Sequence, residues 1–337
     1  MKKIVRTICY FSKSPSKTIV DRLNKLETIL KIKGFEIQTK RICTTNTNCI
    51  KLKDIIKDKS ILLGIGKLNF EQSCKRLDDF ISAGNVSFNL DLTNENISEN
   101  RVKILLEIIK KNPGATFCFA YTFNNALSSP YFPSAEFQKE GFSIGLQPTD
   151  LAEGCTSLDE WFDRMKLVWN EIYSIFKKDK EFLGIDSSIA PIFEKNGSFI
   201  YFMKKMHISF NDSIVTDSYM RITNFIKNEN PKPVGLCGLM LPCLEDFELA
   251  DEYKKGNFSI ERNIFLSLHS GLGIDTYPIG IDERMEKIIN ILKTVQGLSN
   301  KYKKPLSVRF VSDGKAKIGE KTNFKNVYLK DIKVRNL

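Results

Sequence analysis

The chain has 337 residues, of which 42% are hydrophobic and 27% are charged, and this composition is typical of a globular protein rather than a disordered, collagen-like or disulfide-scaffold chain. Its apolar runs all fall short of the roughly 20 residues that a membrane-spanning helix needs, so we expect no membrane crossing. The net charge of +11 is concentrated at the two ends of the chain, but lysine dominates and no aromatic–basic motif is present, so we do not expect a nucleic-acid partner.

Short strand patterns alternate with amphipathic helical patterns along the whole chain. The N-terminus reads as a first strand rather than a signal peptide, because Arg6 and the polar residues after Phe11 interrupt it before an apolar segment forms. The ten predicted strands are residues 4–11, 35–44, 60–66, 86–92, 115–123, 142–148, 182–190, 234–242, 274–280 and 306–312. The predicted helices include residues 16–33, 69–83, 98–111, 158–177, 217–227, 244–254, 259–269 and 281–302.

Alternation of this kind predicts a mainly parallel sheet with helices outside, which is the α/β class. No Gly/Ser/Pro-rich linker divides the pattern, and we therefore expect one domain over residues 1–337. Ten strands suit either an open doubly wound sheet or a closed barrel. In both architectures a ligand is expected at the carboxyl ends of the strands.

The predicted strand ends are rich in Gly, Asp, Ser and Pro, and they supply most of the candidate site residues. The catalytic candidates are Asp186, Glu245 and Asp275, whose carboxylates could move protons or bind magnesium. Asp186 and Asp275 could equally accept hydrogen bonds from turn amides. The candidate ligand-binding residues at strand ends are Gln147, Ser187, Ser188, Cys237, Arg309 and Lys315.

We predict that residues 124–141 form a loop that turns inward and forms a wall of the ligand pocket. Pro130 and Pro133 restrict its backbone, and Tyr131 and Phe132 between them supply apolar area that would be poorly placed in solvent. We add both aromatic residues to the ligand-binding candidates. The alternative is that they only fill the core.

Cysteine and histidine usage argues against several kinds of centre. The eight cysteines form no CxxC pair and have no histidine close by in sequence, so neither a zinc knuckle nor a redox dithiol is predicted, and a reducing cytoplasm is the simplest setting. The two histidines, His207 and His269, offer little material for a catalytic triad or a multi-histidine metal centre. We assign no metal site, and the sequence identifies no cofactor.

Five segments resemble the domain-of-unknown-function 711 family of uncharacterised bacterial and archaeal proteins. They are Ser-Ser-Pro-Tyr-Phe-Pro at 128–133, Gly-Ile-Asp-Ser-Ser-Ile-Ala-Pro at 184–191, Gly-Leu-Met-Leu-Pro-x-Leu-Glu-Asp at 238–246, Gly-Ile-Asp-Thr-Tyr-Pro at 273–278, and Lys-Pro-Leu-Ser-Val-Arg-Phe at 304–310 with the following Gly-Lys-x-x-x-Gly-Glu-x-Thr-x-Phe. The resemblance covers the chain from about residue 120 to 330. It implies the fold of pyruvate formate-lyase-like glycyl-radical enzymes, a ten-stranded α/β barrel built from two five-stranded halves.

The resemblance does not extend to the groups that glycyl-radical chemistry needs. That chemistry requires a glycine in an Arg-Val-x-Gly-Tyr-like context near the C-terminus and a cysteine on the loop that enters the barrel. Here residues 309–315 read Arg-Phe-Val-Ser-Asp-Gly-Lys, and residues 124–141 contain no cysteine. Because both reacting groups must be positioned together, we expect no such reaction.

Two classes of function remain. In the first, the protein is an enzyme that acts on a small anionic metabolite inside the barrel, with Arg309 clamping the anion and the strand-end carboxylates moving protons. In the second, the same pocket only binds a metabolite, and the protein signals through a partner or as a homo-oligomer.

Overall fold

The computed structural model describes residues 2–45 and 47–337, and within these residues ten strands form one sheet. The strands are β1 (Lys3–Phe11), β2 (Phe35–Ile37), β3 (Lys40–Cys43), β4 (Ile61–Leu68), β5 (Val86–Asp91), β6 (Phe119–Phe123), β7 (Gly141–Leu146), β8 (Phe182–Asp186), β9 (Gly273–Pro278) and β10 (Leu306–Val311). The α/β class and the number of strands agree with the sequence prediction.

Helices flank the sheet, and most of them begin within a few residues of the predicted positions. They are α1 (Lys17–Ile32), α2 (Cys49–Ile55), α3 (Phe70–Ala83), α4 (Glu99–Lys111), α5 (Leu158–Phe176), α6 (Phe199–Lys205), α7 (Phe210–Ser213), α8 (Ser218–Asn228), α9 (Phe247–Lys255), α10 (Ile260–His269) and α11 (Met285–Tyr302). The prediction lacked α2, α6 and α7, because helices of four to seven residues are too short to show the helical period clearly. Every helix in residues 2–45 and 47–337 is too short or too polar to span a membrane.

The sheet consists of two parallel groups that run in opposite directions. Its order is β8-β7-β1-β3-β4-β5-β6-β10-β9, with β2 paired to β1. Strands β1, β3, β4, β5 and β6 are parallel to one another, β7 is parallel to β8, and β9 is parallel to β10. The groups meet at two antiparallel pairs, β1 with β7 and β6 with β10.

The predicted strand 234–242 does not form, and its place is taken by an irregular segment, residues 233–246, between β8 and β9. This segment makes isolated parallel bridges to both edge strands, which pair Pro233 with Ile185 of β8 and Pro242 with Asp275 of β9. Prolines interrupt its hydrogen bonding, and Gly235 and Cys237 have φ angles of 77° and 43°. The sheet therefore has no continuous ladder between β8 and β9, but its two edges are linked through this segment.

Other strand predictions were too long at one end or joined two strands. The predicted strand 35–44 is two strands, β2 and β3, that pair with β1 one after the other. The predicted strands 115–123 and 142–148 each include part of a 3-10 helix, Pro113–Cys118 and Pro148–Ala152. Both 3-10 helices begin with proline, which fixes φ and removes a donor from the ladder.

The two faces of the sheet differ in character. On β5, Val86, Phe88 and Leu90 belong to the main hydrophobic core beneath the helices, whereas Asn89 between them faces the inside of the sheet. The Asn89 amide donates to the carbonyl oxygens of Pro133 (2.9 Å) and Ala135 (3.3 Å). The polar inner face thus binds the loop 124–141, which connects β6 to β7.

The tip of this loop lies against strands that carry glycine. An added Cβ at Gly145 would lie 2.6 Å from the hydroxyl oxygen of Tyr131, and one at Gly64 would lie 3.0 Å from the ring of Phe132. The ring of Phe132 also packs against a small buried cluster that includes Cys9, Phe11 and Cys43. The loop tip therefore packs closely against β4 and β7.

Candidate functional site

A cavity of about 450 Å³ lies on the inner side of the sheet, above the tip of the loop. Much of its wall is apolar or aromatic. Charged side chains approach it from two directions, and they divide into a basic pair and a cluster of one arginine with two carboxylates. The five charged residues of the lining are Arg6, Arg41, Glu245, Asp275 and Arg309.

Arg41, on β3, is the buried member of the basic pair, with 7% of its surface exposed. Its guanidinium donates to the hydroxyl of Thr39 and to the carbonyl of Pro130, both at 3.3 Å, and lies 5.1 Å from the ring centre of Phe132. Among the described residues, no carboxylate forms an ion pair with Arg41. Burial, assisted by the neighbouring charge of Arg6, lowers the pKa of Arg41 to about 10, so it is still charged at neutral pH.

Arg6 lies beside it on β1 and is half-buried. It donates a hydrogen bond of 3.0 Å to the side-chain oxygen of Gln38, which also lines the cavity. No described carboxylate pairs with Arg6 either, since it too is missing from the ion pairs of residues 2–45 and 47–337. The basic wall of the cavity therefore carries two cations that form no ion pair with a carboxylate of the described residues.

The opposite wall holds Arg309, on β10, between two carboxylates. Its Nε donates to Asp275 at 2.6 Å and its Nη2 donates to Glu245 at 3.0 Å, while Nη1 reaches the carbonyl of Phe117 at 3.3 Å. Burial by itself would lower the pKa of Arg309, but the two carboxylates raise it above its usual value. Arg309 is therefore a fixed cation whose charge is already matched.

Glu245 is buried, and burial raises the pKa of its carboxyl group above the usual value although Arg309 acts in the opposite direction. Arg6 and Arg41 also lower this pKa, and Glu245 in turn raises the pKa of Arg41. The two walls are thus close enough for their charges to interact across the cavity.

The antiparallel arrangement of the two strand groups explains why these residues meet. Asp275 and Arg309 lie near the middle of β9 and β10, and Glu245 lies near the end of the irregular segment. These three therefore come from the part of the chain whose strands run antiparallel to β3. Arg41 is the second residue of β3 and therefore comes from the amino end of its strand. We expected the site at the carboxyl ends of the strands, and this expectation did not identify Arg6 and Arg41, which belong to the strand group that runs in the opposite direction. One feature of the sequence could have indicated Arg41: it lies two residues before the apolar Cys43 in a strand, so the two side chains share one face of the sheet.

The loop residues Tyr131 and Phe132 line the cavity from below. Tyr131 is 5% exposed. Its hydroxyl lies within hydrogen-bond distance of two backbone carbonyl oxygens, those of Leu146 (2.9 Å) and Ser188 (3.3 Å). The loop tip is therefore held firmly in place as the floor of the cavity.

Asp186, a catalytic candidate, lies outside the cavity lining and is fully buried. Its carboxylate accepts hydrogen bonds from the Ser129 hydroxyl (2.7 Å), the Ser188 amide (3.0 Å), and the amides of Leu236 (2.9 Å) and Cys237 (3.1 Å). These partners belong to the loop, to the end of β8 and to the irregular segment. The geometry favours the turn-amide interpretation, in which Asp186 ties three segments together.

Five predicted ligand-binding residues also lie away from the cavity: Gln147, Ser187, Ser188, Cys237 and Lys315. Each has a local explanation. The side chains of Gln147, Ser187 and Ser188 donate hydrogen bonds of 2.6 to 2.7 Å within the protein. Burial raises the pKa of the Cys237 thiol to about 11, and Lys315 is exposed at the surface.

Comparison with known proteins places these observations in a family. The model of the family described as "Uncharacterised ACR (DUF711)" matches residues 72–326. No curated protein matches the chain. Among solved structures, the chain is similar to an anaerobic ribonucleotide reductase, with 6% identity over 92% of this chain and 70% of that one and a TM-score of 0.30. Because the family match spans well over half of the sequence, the chain belongs to the DUF711 family.

Proposed function

We propose that the protein is an enzyme that binds a small organic anion in the cavity and acts on it without glycyl-radical chemistry. The observation that carries the proposal is the buried guanidinium of Arg41, which faces the cavity without a carboxylate partner among the described residues. A buried charge is costly unless it is paired, and an anionic ligand would supply the missing partner.

The chemistry of the basic wall suits a carboxylate or a phosphate. Arginine presents several N–H donors in a planar fork that matches the two oxygens of such groups. Arg6 adds a second cation that is open to the cavity. We therefore assign the anion clamp to Arg41 and Arg6, whereas Arg309 is engaged with Glu245 and Asp275.

The proton-transfer role stays with Glu245, with Asp275 beside it. A carboxyl group whose pKa is raised by burial can hold a proton closer to neutral pH and exchange it with a bound ligand. Arg309 keeps both carboxylates in position. The loop tip offers the cavity the aromatic side chains of Tyr131 and Phe132, and the cysteine of the lining, Cys118, lies just before β6 and has a pKa raised by burial.

Substitution of Arg41 by Gln tests the anion clamp. Titration calorimetry with phosphate, acetate and 3-phenylpropionate should show at least one anion that binds the wild-type protein and loses about tenfold or more of its affinity in Arg41→Gln, as expected for a charged hydrogen bond. The matched control is Arg221→Gln, a surface arginine paired with Asp159, which should bind as the wild type does. Equal affinity in Arg41→Gln and wild type, or no binding of any of the three anions to wild type, would reject the proposal.

A further inference from the structure

Each of the two carboxylates opposite the basic wall has one oxygen atom without a hydrogen-bond donor among the described residues. Glu245 and Asp275 each give one oxygen to Arg309. Their second oxygens, Oε2 of Glu245 and Oδ2 of Asp275, accept no hydrogen bond from the residues that the structure describes, and both side chains line the cavity. One guanidinium thus serves two carboxylates, and this wall offers unused acceptors and an excess of negative charge to a ligand.

The two walls together impose a charge pattern on whatever fills the cavity. A ligand that carries only an anionic group would satisfy Arg41 and Arg6 but would bring its negative charge close to Glu245 and Asp275. A ligand that also carries an ammonium group satisfies both walls, because three N–H donors can reach the unused carboxylate oxygens. Desolvated charges demand such pairing more strongly than charges in water do.

A divalent metal fits the acidic wall less well than an ammonium group. Among the described residues, no group of three or more His, Cys, Asp and Glu side chains is arranged to hold a metal ion. Magnesium and calcium favour several oxygen ligands, whereas here two carboxylates share the site with the guanidinium of Arg309, which would repel a dication.

The remainder of the wall favours an apolar group beside the two charged groups of the ligand. Leu62, Leu236 and Leu272 line the cavity, and Phe117 and Tyr328 stack on each other at its edge with ring centres 6.2 Å apart. The cavity volume of about 450 Å³ suits a small metabolite. Glu245 and Arg41 also shift each other's pKa, which is consistent with one small ligand reaching both walls.

We infer that the cavity binds a free amino acid with an apolar side chain, its carboxylate at Arg41 and Arg6 and its ammonium group at Glu245 and Asp275. This inference rests on the proposed anion site and adds a site for the ammonium group, the second charged group of the ligand. Recognition of both poles would exclude simple carboxylic acids and simple amines of the same shape.

Matched sets of compounds test the inference on the wild-type protein. L-leucine is compared with 4-methylpentanoate and isoamylamine, and L-phenylalanine with 3-phenylpropionate and phenethylamine, by titration calorimetry at ligand concentrations up to about 10 mM. In at least one set, the amino acid should bind about tenfold to a hundredfold more tightly than either single-charge compound, because each of those compounds forgoes one charge-assisted hydrogen bond.

Variants then identify the wall that recognises each group. Glu245→Gln should lower the affinity for the amino acid but leave the affinity for the carboxylic acid without an amine nearly unchanged. The ratio of the two affinities should therefore fall by about tenfold. Asp275→Asn gives a second, independent variant if Glu245→Gln does not fold, as judged by circular dichroism. Glu71→Gln, at an exposed helical ion pair with Lys75, is the control and should keep the wild-type preference.

The outcomes separate this inference from the anion site beneath it. Equal affinity for amino acid and amine-free acid overturns the zwitterion inference and leaves the Arg41 site standing. Binding of the amine as tight as that of the amino acid, unchanged in Arg41→Gln, overturns both. If none of the six compounds binds, the amino-acid inference is rejected, while the phosphate and acetate titrations still decide the anion site.

Discussion

The guanidinium of Arg309 lies between two carboxylates in a part of the protein with little access to solvent, and only 8% of its side chain is exposed. Replacement by Met would leave Glu245 and Asp275 close together without a cation. We expect Arg309→Met to lower the free energy of unfolding by about 3–5 kcal/mol, as for other broken buried ion pairs. Urea denaturation at neutral pH measures this.

A triple variant separates charge from packing at this position. Adding Glu245→Gln and Asp275→Asn to Arg309→Met removes the two uncompensated charges, so most of the stability should return. If Arg309→Met unfolds at the same urea concentration as the wild type, the ion pairs are unimportant for stability and Arg309 regains its place as a candidate ligand clamp.

The sequence allowed one wall of the site to be predicted but not the other. Glu245, Asp275, Arg309, Tyr131 and Phe132 were all candidates, because polar groups after strands and aromatic groups in a proline-rich loop are unusual enough to notice. The partners of Arg309 were not predictable, since ion pairs between distant segments depend on the fold. Arg6 and Arg41 look like solvated residues of a basic N-terminal region in the sequence, and only the folded structure shows that they line the cavity.

At the level of elements, the position of the loop 124–141 depends on a glycine of β7. A Cβ at Gly145 would lie 2.6 Å from the hydroxyl oxygen of Tyr131, which is held by the carbonyls of Leu146 and Ser188. Gly145→Ala should therefore displace the loop tip and lower the free energy of unfolding by about 1–3 kcal/mol, as overpacking does in other cores. Thermal denaturation measures the change.

Gly297 provides the matched control, because the space around it is open and it lies within α11. Gly297→Ala should raise the free energy of unfolding by up to about 1 kcal/mol, since alanine favours the helix and restricts the unfolded chain. A Gly145→Ala protein as stable as Gly297→Ala would contradict the close contact between β7 and the loop.

Prediction of the elements succeeded where the periodic pattern was long and failed where proline or positive φ angles interrupted it. Helices such as α5 have a capping serine and a clear apolar stripe, and they were placed almost to the residue. Residues 234–242 are as apolar as a buried strand, but their backbone cannot follow a regular ladder. The apolar composition of this segment correctly indicated burial. Its backbone conformation depends on a few glycine, cysteine and proline residues, which an analysis of apolar periodicity does not distinguish.

At the scale of the whole molecule, the two halves of the sheet are contiguous in sequence yet depend on each other. Residues 2–123 contribute β1 to β6, and residues 141–337 contribute β7 to β10. Each half exposes strand edges that the other covers through the β1–β7 and β6–β10 pairs. We propose that the halves form one cooperative domain.

This proposal predicts a single thermal unfolding transition, with near- and far-ultraviolet circular dichroism changing together and the calorimetric enthalpy equal to the van't Hoff enthalpy. Residues 1–124 and 141–337, expressed separately, should each fail to fold, because neither can cover its own strand edges. Two resolved transitions, or a fragment with native-like near-ultraviolet signal, would show that the halves are separate domains.

The floor formed by Tyr131 and Phe132 limits how any large molecule can be recognised. Phe132 packs against the buried side chains of Cys9, Phe11 and Cys43, so side chains lie behind this part of the floor. We therefore expect that a long chain would present only its terminus to the arginines and carboxylates, rather than pass through the protein beside these two rings. If the protein is the enzyme that we propose, we expect its product to leave by the route through which the substrate enters, so that release precedes the next round of binding.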